Sequence, residues 1–437
     1  MTADITAYNS RLFSYLDSSP TAYHAVAASR ELLLAATGTE LLETQPWELQ
    51  KGRLYFVVRD HSALVAFVLG SKEEPEDGFR MMASHSDSPG LKLTPNPLLA
   101  THPYLQLGVE IYGGPLLNPW FDRDLSLAGR VSCVDGKNQL LDHLVDFARP
   151  LLCIPSLAIH FDREANNGRA IDRQKSLPPL LGQIVDDQLP HFHDILLRQL
   201  CQQYPDLASL AILAFDLFCY DRQEASALGL NHEFICASRL DNLLSCHAAT
   251  EAIGAAGTEQ NTLFLCTNHE ENGSTSISGA NGTFVDAVFR RMVTDPEKRE
   301  IALRKSFLLS IDNAHAVHPN FKDRSAPQHD ITMNGGPVIK INANQRYATS
   351  SRSAARFRHL AAGCGVPVQQ FVMRSDLPCG STIGPMTAAR LGVETVDIGA
   401  PTLAMHSIRE MTGRDDPHLL FRCLLHFLRS APSRHEG

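Results

Sequence analysis

The sequence predicts an α/β protein: a sheet with helices on its faces, interrupted in sequence by an inserted β-rich segment. Three observations carry this. Short, apolar, β-rich runs alternate with helix-period segments in residues 1–93 and again in 234–437. Between them, residues 94–233 gather prolines and glycines (Pro95, Pro97, Pro103, Gly113, Gly114, Pro115, Pro119) around short alternating strands. His, Asp and Glu also cluster at the ends of the predicted strands, where α/β folds place their sites.

In chain order, residues 5–37 carry apolar positions at helical spacing (Leu12, Tyr15, Leu16, Tyr23, Val26, Leu32), broken by Pro20, and predict two helical pieces. Strands are expected at 54–58, 63–69 and 79–84, the last running into His85-Ser86-Asp87. After the insertion, 238–253 reads as a helix, 262–267, 307–311 and 395–398 as buried strands, and 417–428 as a C-terminal helix against the sheet. The run 154–159 inside the insertion is expected to form a strand with His160 at its end. No internal repeat or low-complexity segment is present.

Composition excludes several classes. The 437 residues are 44% hydrophobic, enough for one large or two ordinary domains. A net charge of −9 argues against a nucleic-acid or anionic-membrane partner. The N-terminal residues lack a signal-peptide layout, and the longest apolar runs, 63–69 and 210–215, fall far short of the ~20 residues that span a bilayer. The ten cysteines include no Cys-x-x-Cys pair, so reduced thiols and a cytoplasmic location are expected. There the sequons at Asn272 and Asn281 carry no meaning.

Four segments carry the candidate chemistry: Ser84-His85-Ser86-Asp87-Ser88-Pro89, Ser238-Arg239-Leu240-Asp241-Asn242, Asn268-His269-Glu270-Glu271-Asn272-Gly273-Ser274 and Asp312-Asn313-Ala314-His315-Ala316-Val317-His318-Pro319. His406 is a fifth candidate. A lone strand-end histidine is more often a satisfied polar group than a ligand, and adjacent glutamates are usually solvated. Together, though, two imidazoles, several carboxylates and no thiolate have the composition of a two-metal hydrolase and suit zinc, with manganese or cobalt as substitutes. The extended period points His85 and Asp87 to one side, so Asp87 can orient the imidazole. Asp241, opening a helix, could bridge two ions. Neighbouring Glu270 and Glu271 diverge, so one can bind metal while the other faces the water to be activated. Cys379, in a Pro-Cys-Gly-Ser turn, has no base implied beside it and reads as a small buried thiol. Gly335-Gly336-Pro337 and Gly113-Gly114-Pro115 continue into no phosphate loop.

These segments, with Ile154-Pro155-Ser156-Leu157-Ala158-Ile159-His160, Asn344-Gln345-Arg346-Tyr347-Ala348-Thr349 and Asp376-Leu377-Pro378-Cys379-Gly380-Ser381-Thr382-Ile383-Gly384-Pro385, resemble the aspartyl aminopeptidase family of di-zinc exopeptidases over nearly the whole chain. The resemblance implies an α/β/α catalytic domain at 1–93 and 234–437 and an inserted dimerisation domain at 94–233. It implies one zinc on His85, Asp241 and Asp312, a second on Asp241, Glu271 and His406, and Glu270 as general base. It further implies removal of acidic residues from peptide N-termini, a dodecamer built from dimers, and His160 acting near a partner subunit's metals, on substrate or as a ligand. Lys340 is the first candidate for the cation that recognises an acidic side chain, with His315 and His318 secondary. Two rivals stay open: a two-metal carboxypeptidase-like or N-acyl amidohydrolase, and a non-catalytic assembly protein on the same fold.

Overall fold

The computed structural model describes residues 2–185, 188–207 and 210–430. Their contacts divide them into two units: 2–88, 225–405 and 410–430 form the first, and 89–224 with 406–409 the second.

The first unit is built on a nine-stranded sheet. Its order is Thr39–Glu40, Leu54–Arg59, Ala63–Val68, Thr262–Thr267, Arg80–His85, Phe307–Ile311, Glu394–Gly399, Val338–Ile341 and Gln369–Val372. The four strands from Thr262–Thr267 to Glu394–Gly399 run parallel, so their carboxyl ends face one side. Side-chain alternation explains why these strands read as continuous apolar runs. In Ala63–Val68, Leu64, Ala66 and Val68 join the core shared with the helices Thr2–Asp17, Ala22–Ala35, Leu240–Ala255, Ser351–Gly363 and Asp416–Arg429. Ala63, Val65 and Phe67 join the opposite core with Phe284–Met292, Pro296–Lys305 and Ile383–Leu391. With both faces covered, the strand interiors are mostly apolar, and a polar residue inside one, such as Ser310, Lys340 or Asp397, is an exception.

A five-stranded sheet (Ser226–Leu228, Phe234–Ala237, Glu410–Gly413, Pro401–Leu403, Ala314–His315) completes this unit. The predicted C-terminal helix is present as Asp416–Arg429. The buried Asp416 carboxylate fixes its start by accepting the N–H groups of Asn334 and Gly336 at 2.6 and 2.9 Å. Among the described residues, no helix is long and apolar enough to cross a membrane.

The second unit is a six-stranded antiparallel sheet, in the order Leu140–Asp146, Leu125–Val134, Ala211–Asp221, Gly90–Thr101, Tyr104–Tyr112, Leu180–Gln183. Phe192, Leu196 and Leu200 of the helix Phe192–Gln203 share its core. The strand expected over 154–159 does not form. Pro155 lacks the N–H a ladder needs, and Asp122 takes both the N–H and the hydroxyl of Ser156, at 2.9 and 2.6 Å. The chain leaves the sheet with Leu157 and Ile159 exposed.

Candidate metal centre

The first unit brings its acidic and imidazole candidates together at the carboxyl ends of the parallel strands. His85 is the last residue of Arg80–His85 and is 1% exposed. Its Nε2 lies 3.7 Å from Asp241 Oδ1 and 3.6 Å from Asp312 Oδ1. One donor atom from each of His85, Asp241 and Glu271 falls within 4.8 Å of the other two. Asp312 follows the strand Phe307–Ile311, and Glu270 and Glu271 open a single 3-10 turn, Glu270–Asn272, after Thr262–Thr267.

Asp87 does more than orient His85. Its Oδ1 is 3.4 Å from His85 Nδ1, but its carbonyl oxygen is nearer, at 3.1 Å. The carboxylate also accepts the backbone N–H groups of Glu270 and Glu271, each at 3.1 Å. One buried aspartate thus links the histidine strand to the glutamate turn. Asp241 is fixed through its backbone: Glu410 Oε2 accepts its N–H at 2.8 Å, and the Ser88 hydroxyl donates to its carbonyl at 2.7 Å. Asn242 Nδ2 donates to Ile311 O at 2.8 Å, tying Asp241's neighbour to the strand that leads into Asp312.

The electrostatics follow from this crowding. Burial works against a charged His85, yet Asp312, Asp87 and Glu270 outweigh it and raise its proton affinity well above that of an ordinary imidazole. Burial also disfavours ionised Asp312, but Lys340 and His85 hold it far below the usual carboxylate range. Burial pushes Glu270 up to about 7; His85 opposes the rise, and the charges of Asp312, Asp87 and Asp241 add to it. Five carboxylates therefore surround one imidazole and one ammonium. Such a field attracts further positive charge, and nitrogen and oxygen donors at this spacing fit zinc, so the residues present suit the metal.

The other predicted residues lie in different surroundings. Lys340 is 2% exposed, and its Nζ donates to Asp312 Oδ2 at 3.0 Å and Asn313 O at 3.1 Å, so it partners Asp312 directly. His315 and His318 line a separate cavity of about 220 Å³, whose walls include neither Lys340 nor the residues that converge on His85. His406 belongs to the second unit, where its Nδ1 lies 3.1 Å from Gly114 O. His160 is exposed in a turn of that unit. Cys379 is half-buried and packs against the apolar cluster that contains Tyr347. Sequence reasoning passed over Glu410 and gave Asn242 and Ser88, though inside the candidate segments, no role of their own, because their contacts are made to backbone atoms of residues distant in the chain.

A buried imidazole among convergent carboxylates, with a glutamate of raised pKa beside them, at the carboxyl ends of parallel strands, defines a metal-dependent hydrolase. Comparison with known proteins sharpens the class. The family model for aminopeptidase I zinc metalloproteases (M18) matches residues 15–427. Relatives include a probable M18 family aminopeptidase 2 of Stutzerimonas stutzeri, 50% identical over 424 residues that cover 97% of this chain and 98% of the relative. The Pseudomonas aeruginosa protein of the same description is 48% identical over 423 residues, covering 97% and 98%. Among solved structures, the Ape4 and Nbr1 complex contains a chain that superposes with a TM-score of 0.94 at 36% identity, covering 98% of this chain and 86% of that one. Chaetomium thermophilum mApe1 gives 0.87 at 31% identity, with 97% of each chain covered. The chain belongs to the M18 family and is a zinc aminopeptidase.

Proposed function

We propose that the enzyme uses two zinc ions to release single, preferentially acidic, residues from peptide N-termini. The observation that carries this reading is the convergence of His85, Asp241 and Glu271 within 4.8 Å, with Asp312 at the same His85 Nε2 as Asp241. His85, Asp241 and Asp312 would hold one ion, and Asp241 and Glu271 would serve the second. His406 is proposed as its last ligand on the resemblance alone. A histidine bonded through Nδ1 to a carbonyl, as His406 is to Gly114, keeps Nε2 for such a role. Zinc, when bound, polarises the scissile carbonyl and makes a neighbouring water more acidic.

Glu270 would take the proton of the attacking water and deliver it to the leaving amine. A half-buried carboxylate beside the proposed ligand Glu271 is placed for that exchange. Asp87 fixes Glu270 through its N–H. Lys340 would meet the substrate's acidic side chain from its place on Asp312; His315 and His318, which line a separate cavity, are left out of that contact. The assembly is proposed to be a homo-oligomer, because the mApe1 of a solved Saccharomyces structure is described as a dodecamer. Within it His160 would complete a neighbouring subunit's site. That none of the ten cysteines forms a disulfide supports a reducing, cytoplasmic setting.

The test is metal analysis of the purified protein together with rates on Asp-, Glu- and Leu-p-nitroanilide and their N-acetylated forms. Two zinc equivalents and faster cleavage of the free-amine acidic substrates are expected. Preference for the acetylated forms would overturn the aminopeptidase reading in favour of an N-acyl amidohydrolase.

A further inference from the structure

Asp397 sits inside the strand Glu394–Gly399, opposite Ser310 of Phe307–Ile311, and is fully buried. A carboxylate in a strand interior costs several kcal/mol unless its oxygens are satisfied. Here each has a donor: the Thr382 hydroxyl donates to Oδ1 at 2.6 Å, and the Ala348 N–H donates to Oδ2 at 2.6 Å. The backbone N–H of Asp397 in turn donates to Thr349 Oγ1 at 2.9 Å. The fit leaves no slack, since a Cβ on Gly384 would come within 2.3 Å of Oδ1.

This one carboxylate therefore holds two chain segments, 342–349 and 379–382. They are also joined to each other, through the Ser381 hydroxyl to Arg346 O at 3.1 Å, and Cys379 packs against the apolar cluster that contains Tyr347. What they carry is Tyr347, buried, with Lys340 Nζ 5.2 Å from its ring centre. Lys340 reaches Asp312 Oδ2, while Asp312 Oδ1 faces His85. The backbone repeats the link: the N–H of Asp312 donates at 2.9 Å to the carbonyl of Ile398, the residue after Asp397.

We infer that Asp397 is a positioning residue for the metal centre: by pinning 342–349 and 379–382 it keeps Tyr347 against Lys340, and Lys340 on Asp312, so that Asp312 turns Oδ1 toward the metal side. Asp397 itself touches neither metal nor substrate. The inference rests on Asp312 being a zinc ligand.

The experiment measures zinc affinity without substrate, by titrating the purified holoenzyme with a competing chelator, alongside thermal stability. Asp397→Ala should weaken one of the bound zincs by about 10–100-fold, the usual effect of losing a group that orients a ligand. Asp397→Asn should weaken it less, because its amide oxygen still accepts one of the two bonds. Lys340→Met should weaken the same zinc. A folded Asp397→Ala protein with a lower melting temperature but wild-type zinc affinity would reduce the residue to a structural role and overturn the inference. Should that variant not fold, Thr382→Val and Tyr347→Leu apply the same test with a smaller expected loss, and unchanged affinity in both is again fatal to it. Asp312→Asn serves as the control. If it binds zinc normally, the ligand assignment itself is wrong; if it loses zinc while the Asp397 variants do not, only the positioning inference fails.

Discussion

His85 and His247 are each 1% exposed, each lies beside carboxylates, and both belong to the first unit, yet their chemistry is opposite. Around His85, the carboxylates of Asp87, Asp241 and Asp312 lie within 3.7 Å, Lys340 partners only Asp312, and the proton affinity of the imidazole rises. His247 has Glu251 at 3.4 Å, but Arg11 already holds that carboxylate at 2.6 and 2.9 Å. Burial then prevails, and the His247 pKa falls below the ordinary value. Its Nδ1 meets the Tyr8 hydroxyl at 3.3 Å, and Tyr8 and Tyr15 pack against its ring. The His247 cluster closes its own charge balance and holds Thr2–Asp17 on Leu240–Ala255. The His85 cluster gathers five carboxylates around one imidazole, with the Lys340 ammonium paired to Asp312. Burial and a titratable partner therefore do not mark a site by themselves; the unbalanced charge does.

The contrast is tested most severely at Glu270. If the excess negative charge exists to hold metal and tune a base, Glu270→Gln should keep fold and zinc and lose about 10²–10⁴-fold in turnover. Zinc content by mass spectrometry and kcat on Asp-p-nitroanilide decide it, and near-normal turnover in a fully metallated variant would reject Glu270 as the base. Asp241→Ala comes next. Removing the carboxylate proposed to serve both ions should cost at least one zinc equivalent. Two zincs retained at unchanged affinity would place the bridge elsewhere.

Legibility in the sequence follows the same divide. The α/β class was readable because both faces of the central sheet are covered, so strands such as Ala63–Val68 and Thr262–Thr267 are apolar throughout and their polar neighbours stand out at the ends. His85, Asp241, Glu270, Glu271 and Asp312 were conspicuous for that reason. What could not be read is whatever depends on strand order. Lys340 meets Asp312 through a sheet in which Val338–Ile341 lies beside Glu394–Gly399, and Asp87 reaches the Glu270 and Glu271 amides because Thr262–Thr267 pairs with Arg80–His85. The helices 351–363 and 383–391 and the strand 369–372 were not foreseen either. Asp397 did leave a signal, a carboxylate inside a buried apolar strand, whose meaning needed Thr382 and Ala348 beside it. The pair His247 and Glu251 is visible as an i, i+4 spacing, but Arg11, which settles its charge, is 240 residues away from Glu251 in sequence.

That settled cluster yields the smallest expected effect and a defined pH signature. Burial raises Glu251, but the bonds from Arg11 and His247 outweigh it and bring the carboxyl down to about 2. A carboxyl depressed in the folded state contributes stability above its unfolded pKa of about 4.3 and loses it as pH falls through the folded value. The Arg11 side chain is 52% exposed, so solvent screening reduces the contribution to about 1–2 kcal/mol. Glu251→Gln should therefore lower the urea midpoint at pH 7, and the part of the gap due to the carboxylate should shrink as pH falls from 5 to 3. His247, whose pKa is lowered by burial, shifts stability in the same direction at higher pH, so wild type and variant must be compared at each pH. Turnover per folded molecule should not change, because this cluster lies outside the catalytic machinery. A gap that stays constant down to pH 3 would show that Glu251 acts through packing alone, and a loss of zinc in the variant would mean that the two histidine clusters are coupled through Leu240–Ala255.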